Sequence, residues 1–418
     1  MQLPEEFVNY TRKLMGHERF QRYLDSFSEE APVSIRLNPL KVEGGGLKVE
    51  GGDPVPWCPE GYYLPKRPNF TMDPLLHAGC YYVQEAASMF VSHVLRQYVH
   101  TPVVMLDLCA APGGKSTAAI ASLPHGSTLY ANEPIRNRAS ILLENITKWG
   151  YPGCIVTNNY PRDYRASKLR FDVILCDVPC SGEGMFRRDE ATIGEGSQQN
   201  VERCWQLQRD IVSDAWTCLC DGGLLIYSTC TFNTKENEEN VRWICEEFDA
   251  EVLPVDVRPE WNITGSLLSG FSAPVYRFIP GITCSEGLFV CVIRKGPSPN
   301  PSLPREGKHI PKAGNSCLKI LPSPGRERLR VGELCSGMGL GEGLPRVDLS
   351  YPQAIAYLRG EALTLPADTP RGIVTVTYKG IPLGPVKNIG NRANNLYPKP
   401  WRIKTTHLPS AAPEILKL

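Results

Sequence analysis

The chain has 418 residues, 42% of them hydrophobic and 21% charged, and a net charge of +1. That is enough chain for two or three domains with buried cores, and the composition is that of a globular protein rather than a disordered or fibrous one. A balance so close to neutral excludes a uniformly basic nucleic-acid coat, so a polyanionic partner would need a local patch.

Residues 1–6 do not read as a signal peptide. From 4 to 27, Phe7, Tyr10, Leu14, Phe20, Tyr23, Leu24 and Phe27 recur near helical spacing and predict one or two amphipathic helices. Residues 32–39 alternate like a short strand, in which Arg36 is either a phosphate contact or a solvated strand residue. The tract Lys-Val-Glu-Gly-Gly occurs at 41–45 and again at 48–52; it is too short for a structural repeat and reads as a flexible tip. Residues 1–70 thus make a small α+β lobe.

Residues 81–90 open the next region, and helix is expected on to about Tyr98, before Thr101-Pro102. Strands follow at 103–108, 127–132, 154–158, 171–176 and 224–229. Between them lie helices at 116–122, 134–149 and 198–220, the last stopped by Asp221-Gly222-Gly223. A helix at 235–248, a segment at 251–255 and a hairpin of 275–279 with 287–293 close the region. This alternation predicts a doubly wound, mostly parallel, Rossmann-like α/β sheet over residues 71–295. Residues 296–316 have the Pro- and Ser-rich composition of a linker. Residues 317–418 should form a separate β-rich domain, with strands at 372–378 and 381–386 joined by Lys379-Gly380. From 371 to 418 there are eight Lys/Arg against one Asp/Glu, a surplus of seven. Tyr378, Tyr397 and Trp401 lie among these charges, which suggests a basic, aromatic-bearing surface for RNA phosphates and bases. No apolar run of about eighteen residues occurs, so no membrane-spanning helix or membrane partner is expected.

The stretch 103–116 carries the clearest chemistry. An apolar strand runs into a small-residue loop, Cys109, Ala110, Ala111, Pro112, Gly113, Gly114 and Lys115, and then a helix. Small residues let a ligand approach the backbone, and the helix N-terminus offers N–H groups to an anion. A phosphate-binding P-loop needs glycine six residues before the lysine, where this chain has Cys109. The dinucleotide pattern Gly-x-Gly-x-x-Gly is also missing. The loop suits instead the carboxylate and ribose of S-adenosylmethionine. Glu133, ending the second strand, is placed to accept from ribose hydroxyls.

Asp177, Pro179 and Cys180 follow the fourth strand, and Cys230 ends the next, so both thiols should face one crevice. Fifteen cysteines occur without a Cys-x-x-Cys pair, so no metal is expected. Cys176, Cys218 and Cys291 sit in apolar runs and read as core, and so many unpaired thiols suit a reducing cytoplasm. Two thiols, a carboxylate and a methyl donor suit methylation at carbon 5 of cytosine. That carbon is a poor nucleophile until a thiolate adds at carbon 6 and makes it part of an enamine. The thiol needs a lowered pKa, and the carboxylate can hold the N3/N4 edge of the base. The base must be unpaired or flipped out of its stack. Spacing does not rank the two thiols.

Cys-Ala-Ala-Pro-Gly-Gly-Lys, Asp-x-Pro-Cys-Ser-Gly-Glu-Gly-Met-Phe-Arg and Ser-Thr-Cys-Thr resemble the motifs of the Sun-type RNA cytosine-5 methyltransferases, closest to the bacterial RsmF-type ribosomal RNA enzymes. The resemblance spans nearly the whole chain and includes a C-terminal region similar to that family's PUA-like RNA-binding domain. It implies that residues 109–115 cradle the cofactor, that Glu133 binds ribose with Arg138 in support, and that Asp177 lies between cofactor and base. It further implies that Cys230 is the nucleophile and Cys180 assists release. The implied substrate is small-subunit ribosomal RNA, naked or in the 30S particle, with transfer RNA or a non-catalytic assembly role as alternatives. The expected state is a cytoplasmic monomer. Two departures stand out. Val178 replaces the family's usual Ala, and Thr157-Asn158-Asn159 lacks the acid that many relatives place near adenine.

Overall fold

A computed structural model describes residues 3–42, 48–195, 197–297, 343–405, 409 and 411–417. Most of the expected linker, and residues 317–342 of the tail, lie outside the described residues.

The chain opens with helices α1 (Glu5–Met15) and α2 (His17–Asp25). Gly16 between them has φ +77°, a left-handed turn that favours glycine. Their apolar faces bury Phe7, Met15, Phe20 and Tyr23 against Phe186, Phe232 and Ile279 of the large sheet region. Next come β1 (Val33–Leu37), α3 (Pro39–Val42), β2 (Lys48–Val49), β3 (Asp53–Val55), β4 (Cys58–Leu64), α4 (Pro74–His77) and β5 (Tyr81–Val83). Four of these strands form an antiparallel sheet in the order β3-β4-β1-β5. Tyr81–Val83 therefore extends the lobe's sheet, with Val83 opposite Ile35, and helix α5 (Phe90–Tyr98) starts only later.

Arg36 follows neither of its two sequence readings. It is buried on the central strand, donates to Gln84 Oε1 at 2.7 Å and to Thr117 Oγ1 at 2.6 Å, and lies 4.4 Å from the ring centre of Trp149. It joins the lobe to the sheet region rather than meeting water or phosphate.

The large sheet contains β6 (Val104–Asp107), β7 (Thr128–Asn132), β8 (Cys154–Thr157), β9 (Phe171–Asp177), β10 (Leu219–Thr229), β11 (Ala250–Leu253), β12 (Tyr276–Phe278) and β13 (Leu288–Lys295). Its order is β11-β13-β10-β9-β6-β7-β8, with β12 paired to β13. The five strands from β6 to β10 run parallel, and β13 is antiparallel to its neighbours. The connecting helices are α6 (Gly114–Ser122), α7 (Arg136–Trp149), α8 (Pro161–Ala166), α9 (Gln198–Cys218) and α10 (Glu238–Glu247). Helix α9 ends at Cys218, two residues short of the expected 220 and before its supposed glycine stop. Leu219 is already extended and pairs with Phe171, because its buried apolar side chain belongs to the sheet core. The glycine pair instead serves a register shift within β10, where a Cβ on Gly223 would stand 2.8 Å from Cys220 O.

The C-terminal sheet has the order β14 (Arg346–Asp348), β15 (Gly372–Tyr378), β16 (Ile381–Asn388) and β17 (Ala393–Asn395), covered by α11 (Tyr351–Leu358). Lys379 and Gly380 both have positive φ and make the expected tight hairpin turn. Strand β18 (Leu416–Lys417) pairs with β2, so residues 48–49 of the supposed flexible tip are held in a ladder. Tyr357, Val374 and Val376 share one hydrophobic cluster with Ile35, Met72 and Leu75, so the C-terminal sheet packs on the amino-terminal lobe. The aromatic surface expected here is corrected: Tyr378 and Tyr397 are buried in that cluster, and Trp401 is half-buried against it. The charges remain outside, with Arg371, Lys379, Lys387, Arg392, Lys399 and Lys404 exposed.

Candidate active site

β6 and β9 are neighbours, with β7 beyond one and β10 beyond the other. Their carboxyl ends flank the point where strand order reverses, the crevice in which open α/β sheets bind ligands. The loop 109–115 leaves β6 at this point, residues 178–182 leave β9, and β10 delivers Cys230 from the adjacent position.

The first loop is fixed by its backbone. Gly113 caps α6 at φ +112°, where a side chain would be strained. Ala110 N–H donates to Asn132 O at 2.7 Å, Arg138 to Ala111 O at 3.0 Å and Asn145 to Pro112 O at 2.8 Å. Beneath the loop, Ser116 donates to Asp107 Oδ2 at 2.6 Å, while the buried Oδ1 has no hydrogen-bond partner among the described residues. Burial pushes the Asp107 carboxyl up to about 7. An orphaned acceptor below a helix-opening loop is a fitting place for a ligand donor.

Lys115 Nζ donates to Asp177 Oδ2 at 2.8 Å, and Ser228 donates to Asp177 Oδ1 at 2.7 Å. Burial opposes the charge on Lys115, and Asp177 more than offsets it. Glu133 is buried at the end of β7, where Oε1 accepts from Ile135 N–H at 2.9 Å and Oε2 lies 3.4 Å from Arg138. Arg138 thus ties the acidic end of β7 to the loop after β6. Asn158, in the segment lacking an acid, donates to Glu133 O at 2.7 Å.

The two thiols meet. Cys180 Sγ lies 3.0 Å from Cys230 Sγ and accepts from Cys230 N–H at 3.2 Å. The hydrogen bond to Cys230, burial and the nearby charge of Glu236 push the Cys180 thiol well up. Close approach of the two loops depends on Gly184, whose N–H donates to Cys230 O at 2.9 Å. A Cβ there would stand 2.8 Å from Gly287 Cα and 2.9 Å from Cys230 O.

Family models agree with this architecture. The model of 16S rRNA methyltransferase RsmB/F matches residues 98–294, that of the N-terminal domain of 16S rRNA methyltransferase RsmF matches 3–86, and that of the methyltransferase RsmF PUA domain matches 344–403. A ribosomal RNA small subunit methyltransferase F from Escherichia coli O17:K52:H18 is 32% identical over 81% of this chain and 71% of its own length. The chain belongs to the 16S rRNA methyltransferase RsmB/F family. The protein of the same name from Erwinia tasmaniensis is 28% identical over 95% of this chain and 96% of its own. Among such relatives the matched share of their own length runs from 64% to 96%. A solved methyltransferase homolog from Pyrococcus horikoshii is 25% identical, with a TM-score of 0.57 over 70% of this chain and all of that one.

For this RsmB/F methyltransferase the sequence reading missed two buried acids between the thiol loops. Glu183 Oε2 accepts from Thr231 Oγ1 at 2.7 Å and from Phe232 N–H and Asn233 N–H, each at 2.9 Å. Glu236 accepts from Ser181 N–H at 3.1 Å, Gln208 Nε2 at 2.6 Å and Asn233 Nδ2 at 2.8 Å. Glu183 stood in the motif quoted above. For Glu236 the one signal was an acid six residues past Cys230 in a polar loop, and that pattern is equally common on solvated turns. No group of His, Cys, Asp or Glu able to hold a metal occurs among the described residues, and no helix among them is long and apolar enough to cross a membrane.

Proposed function

We propose that this chain is an S-adenosylmethionine-dependent RNA cytosine-5 methyltransferase that acts on 16S ribosomal RNA through a transient bond between Cys230 Sγ and carbon 6. The observation that carries the reading is the pairing of two thiols 3.0 Å apart beside the Lys115–Asp177 ion pair at the sheet's reversal point. S-adenosylmethionine supplies an electrophilic methyl group. Cys109, Ala110, Ala111, Pro112, Gly113, Gly114 and Lys115 form its cradle, with Glu133 toward the ribose, Arg138 holding both, and the orphaned oxygen of Asp107 as a further acceptor. Asp177, fixed by Lys115 and Ser228, holds the polar edge of the base. The Cys230 thiolate adds to carbon 6 and makes carbon 5 nucleophilic. After methyl transfer the proton on carbon 5 leaves, the double bond re-forms and Cys230 departs, with Cys180 assisting. The same reading keeps the order of an RNA-binding lobe, a catalytic domain, a linker (296–316) and a PUA-like domain (317–418), with the lobe's boundary moved from 70 to beyond β5, whose residues Tyr81–Val83 complete its sheet.

The test is methylation of 16S rRNA and of tRNA by the purified protein, read by nucleoside mass spectrometry. The expected product is 5-methylcytidine in 16S rRNA. Cys230→Ala abolishes it, and Cys180→Ala leaves an enzyme–RNA adduct on a denaturing gel. Product on tRNA alone overturns the ribosomal substrate, and an active Cys230→Ala enzyme overturns the mechanism.

A further inference from the structure

The two thiol loops hold one another by exchanged carboxylates. Glu183, three residues past Cys180, receives its donors, among the described residues, from 231–233, just past Cys230. Glu236, on the Cys230 side, reaches back to Ser181 N–H, the residue after Cys180. Gln208 Nε2 donates both to Glu236 and, at 2.9 Å, to Pro179 O, the residue before Cys180. Cys180 is therefore bracketed from both sides by the Glu236 arm, and the chain after Cys230 is gripped by the Glu183 arm, with Asn233 Nδ2 also donating to Glu236 at 2.8 Å. Both side chains are buried, with Glu183 at 5% exposure and Glu236 at 0%. Removing a carboxylate from water is costly unless donors replace the lost hydration, and here N–H and O–H groups do so. The hydrogen bond to Cys230, burial, and after them the charge of Glu236 push the Cys180 thiol well up.

We propose that Glu183 and Glu236 are positioning residues for opposite halves of the methylation cycle, Glu183 setting Cys230 for attack and Glu236 setting Cys180 for release. The inference rests on the cytosine-5 reading. In the first half, a sulfur lone pair of the Cys230 thiolate forms the S–C6 bond, and carbon 5 takes the methyl group, leaving the donor as a thioether. In the second half, a water molecule takes the C5 proton, that C–H pair re-forms the C5–C6 double bond, and the C6–S pair returns to Cys230, whose sulfur the Cys180 S–H stabilises by a hydrogen bond from 3.0 Å. A shift of the 231–233 segment disturbs the first half, and a shift of the 179–181 segment disturbs the second.

The experiment compares E183Q and E236Q, near-isosteric changes, by single-turnover adduct formation on 16S rRNA, by steady-state adduct on a denaturing gel, and by S-adenosylmethionine binding in a calorimeter. E183Q should form adduct about 10- to 100-fold more slowly, as expected for a misplacement of under an ångström, and accumulate none. E236Q should form adduct at close to the wild-type rate and accumulate it. Cofactor affinity should be unchanged in both. Thr231→Val and Gln208→Met, which leave the carboxylates in place, should shift the same two steps in the same directions by less, and they carry the test if a glutamine variant does not fold. The inference is overturned if both arms affect the same step, or if all four variants partition adduct as the wild type does. Wild-type product and Cys180→Ala are the controls: no 5-methylcytidine from the wild type removes the cytosine-5 reading, no adduct with Cys180→Ala removes the release role given to Cys180 and this inference with it, and adduct there with unmoved variants removes this inference alone.

Discussion

Asp107 shows how a single buried atom links stability to the site. Its carboxyl is fully buried and is pushed up to about 7 because burial disfavours the charge more than the hydrogen bonds from Ser116 and the Cys109 backbone favour it. The folded protein therefore holds a proton there that the unfolded chain gives up at lower pH. The stabilisation is complete below the unfolded pKa and is lost as pH rises through about 7. Relative to Asp107→Asn, the wild type should lose unfolding free energy between about pH 4 and pH 7, by at most about 4 kcal/mol. Urea unfolding of both proteins across that window is the measurement, and a difference that does not vary with pH overturns the assignment. The sequence marked the strand end and its loop as a ligand site, because small residues and a helix start leave a recognisable string. It could not mark the orphaned oxygen, since whether Asp107 meets water, serine or nothing depends on how β6 packs between β7 and β9.

At the scale of elements, the strand–helix alternation was legible because each strand is a short apolar run ended by a polar residue. The failures have local causes. Tyr81–Val83 is three residues long, too short for a period to be read, and its pairing with β1 is set across the lobe. Leu219 could equally end a helix or begin a strand by its own preference; the sheet decides. The pairing of the two thiol loops is the element-level feature most exposed to substitution. At Gly184 an added methyl would press on backbone atoms of Gly287 and Cys230, which cannot swing aside as a side chain tip can. Gly184→Ala should therefore cost about 1–3 kcal/mol of stability, as overpacking does. It should cost about 100-fold in methylation rate, because the displaced group carries the nucleophile. Single-turnover rates and urea midpoints on the same preparation check both. An alanine enzyme as fast as the wild type would show that loop spacing does not limit the reaction.

The whole molecule is bound together by a core that crosses between its ends. Phe70, Met72, Leu75 and Tyr81 of the first lobe lie in one cluster with Tyr357, Val374, Val376 and Tyr397 of the last sheet, and β2 pairs with β18. Cutting the chain after 297 should leave the first lobe's share of that cluster open to water, at about 1.5–3 kcal/mol for each large side chain fully uncovered. The shortened protein should melt lower or aggregate in a thermal scan, and an unchanged midpoint would contradict a shared core. This coupling was invisible in the sequence, where the two ends are separated by the whole catalytic region. The burial of Tyr378 and Tyr397 follows from it, because the aromatics that looked like base-stacking platforms are what the last sheet uses to pack.

The outside of that sheet carries charge beside a few exposed aliphatic side chains, and charge without aromatic platforms makes a definite prediction about RNA. Lys387 is exposed on β16 and Arg392 is exposed in the turn just before β17, and residues 371–418 carry a net surplus of seven positive charges. Such a surface should meet phosphates, whose binding is driven by counterion release and carries little sequence preference. Reversing both charges, Lys387→Glu with Arg392→Glu, should weaken 16S rRNA binding at every salt concentration and lower the slope of log K against log salt by about one per cation removed. The rate of methylation at saturating RNA should be unchanged, because both residues belong to the C-terminal sheet while the thiol pair sits on the loops after β9 and β10. Filter binding over a salt series, beside single-turnover methylation, separates the two effects. A loss of rate at saturation with an unaltered salt slope would place these residues in the reaction rather than on the path of the RNA backbone.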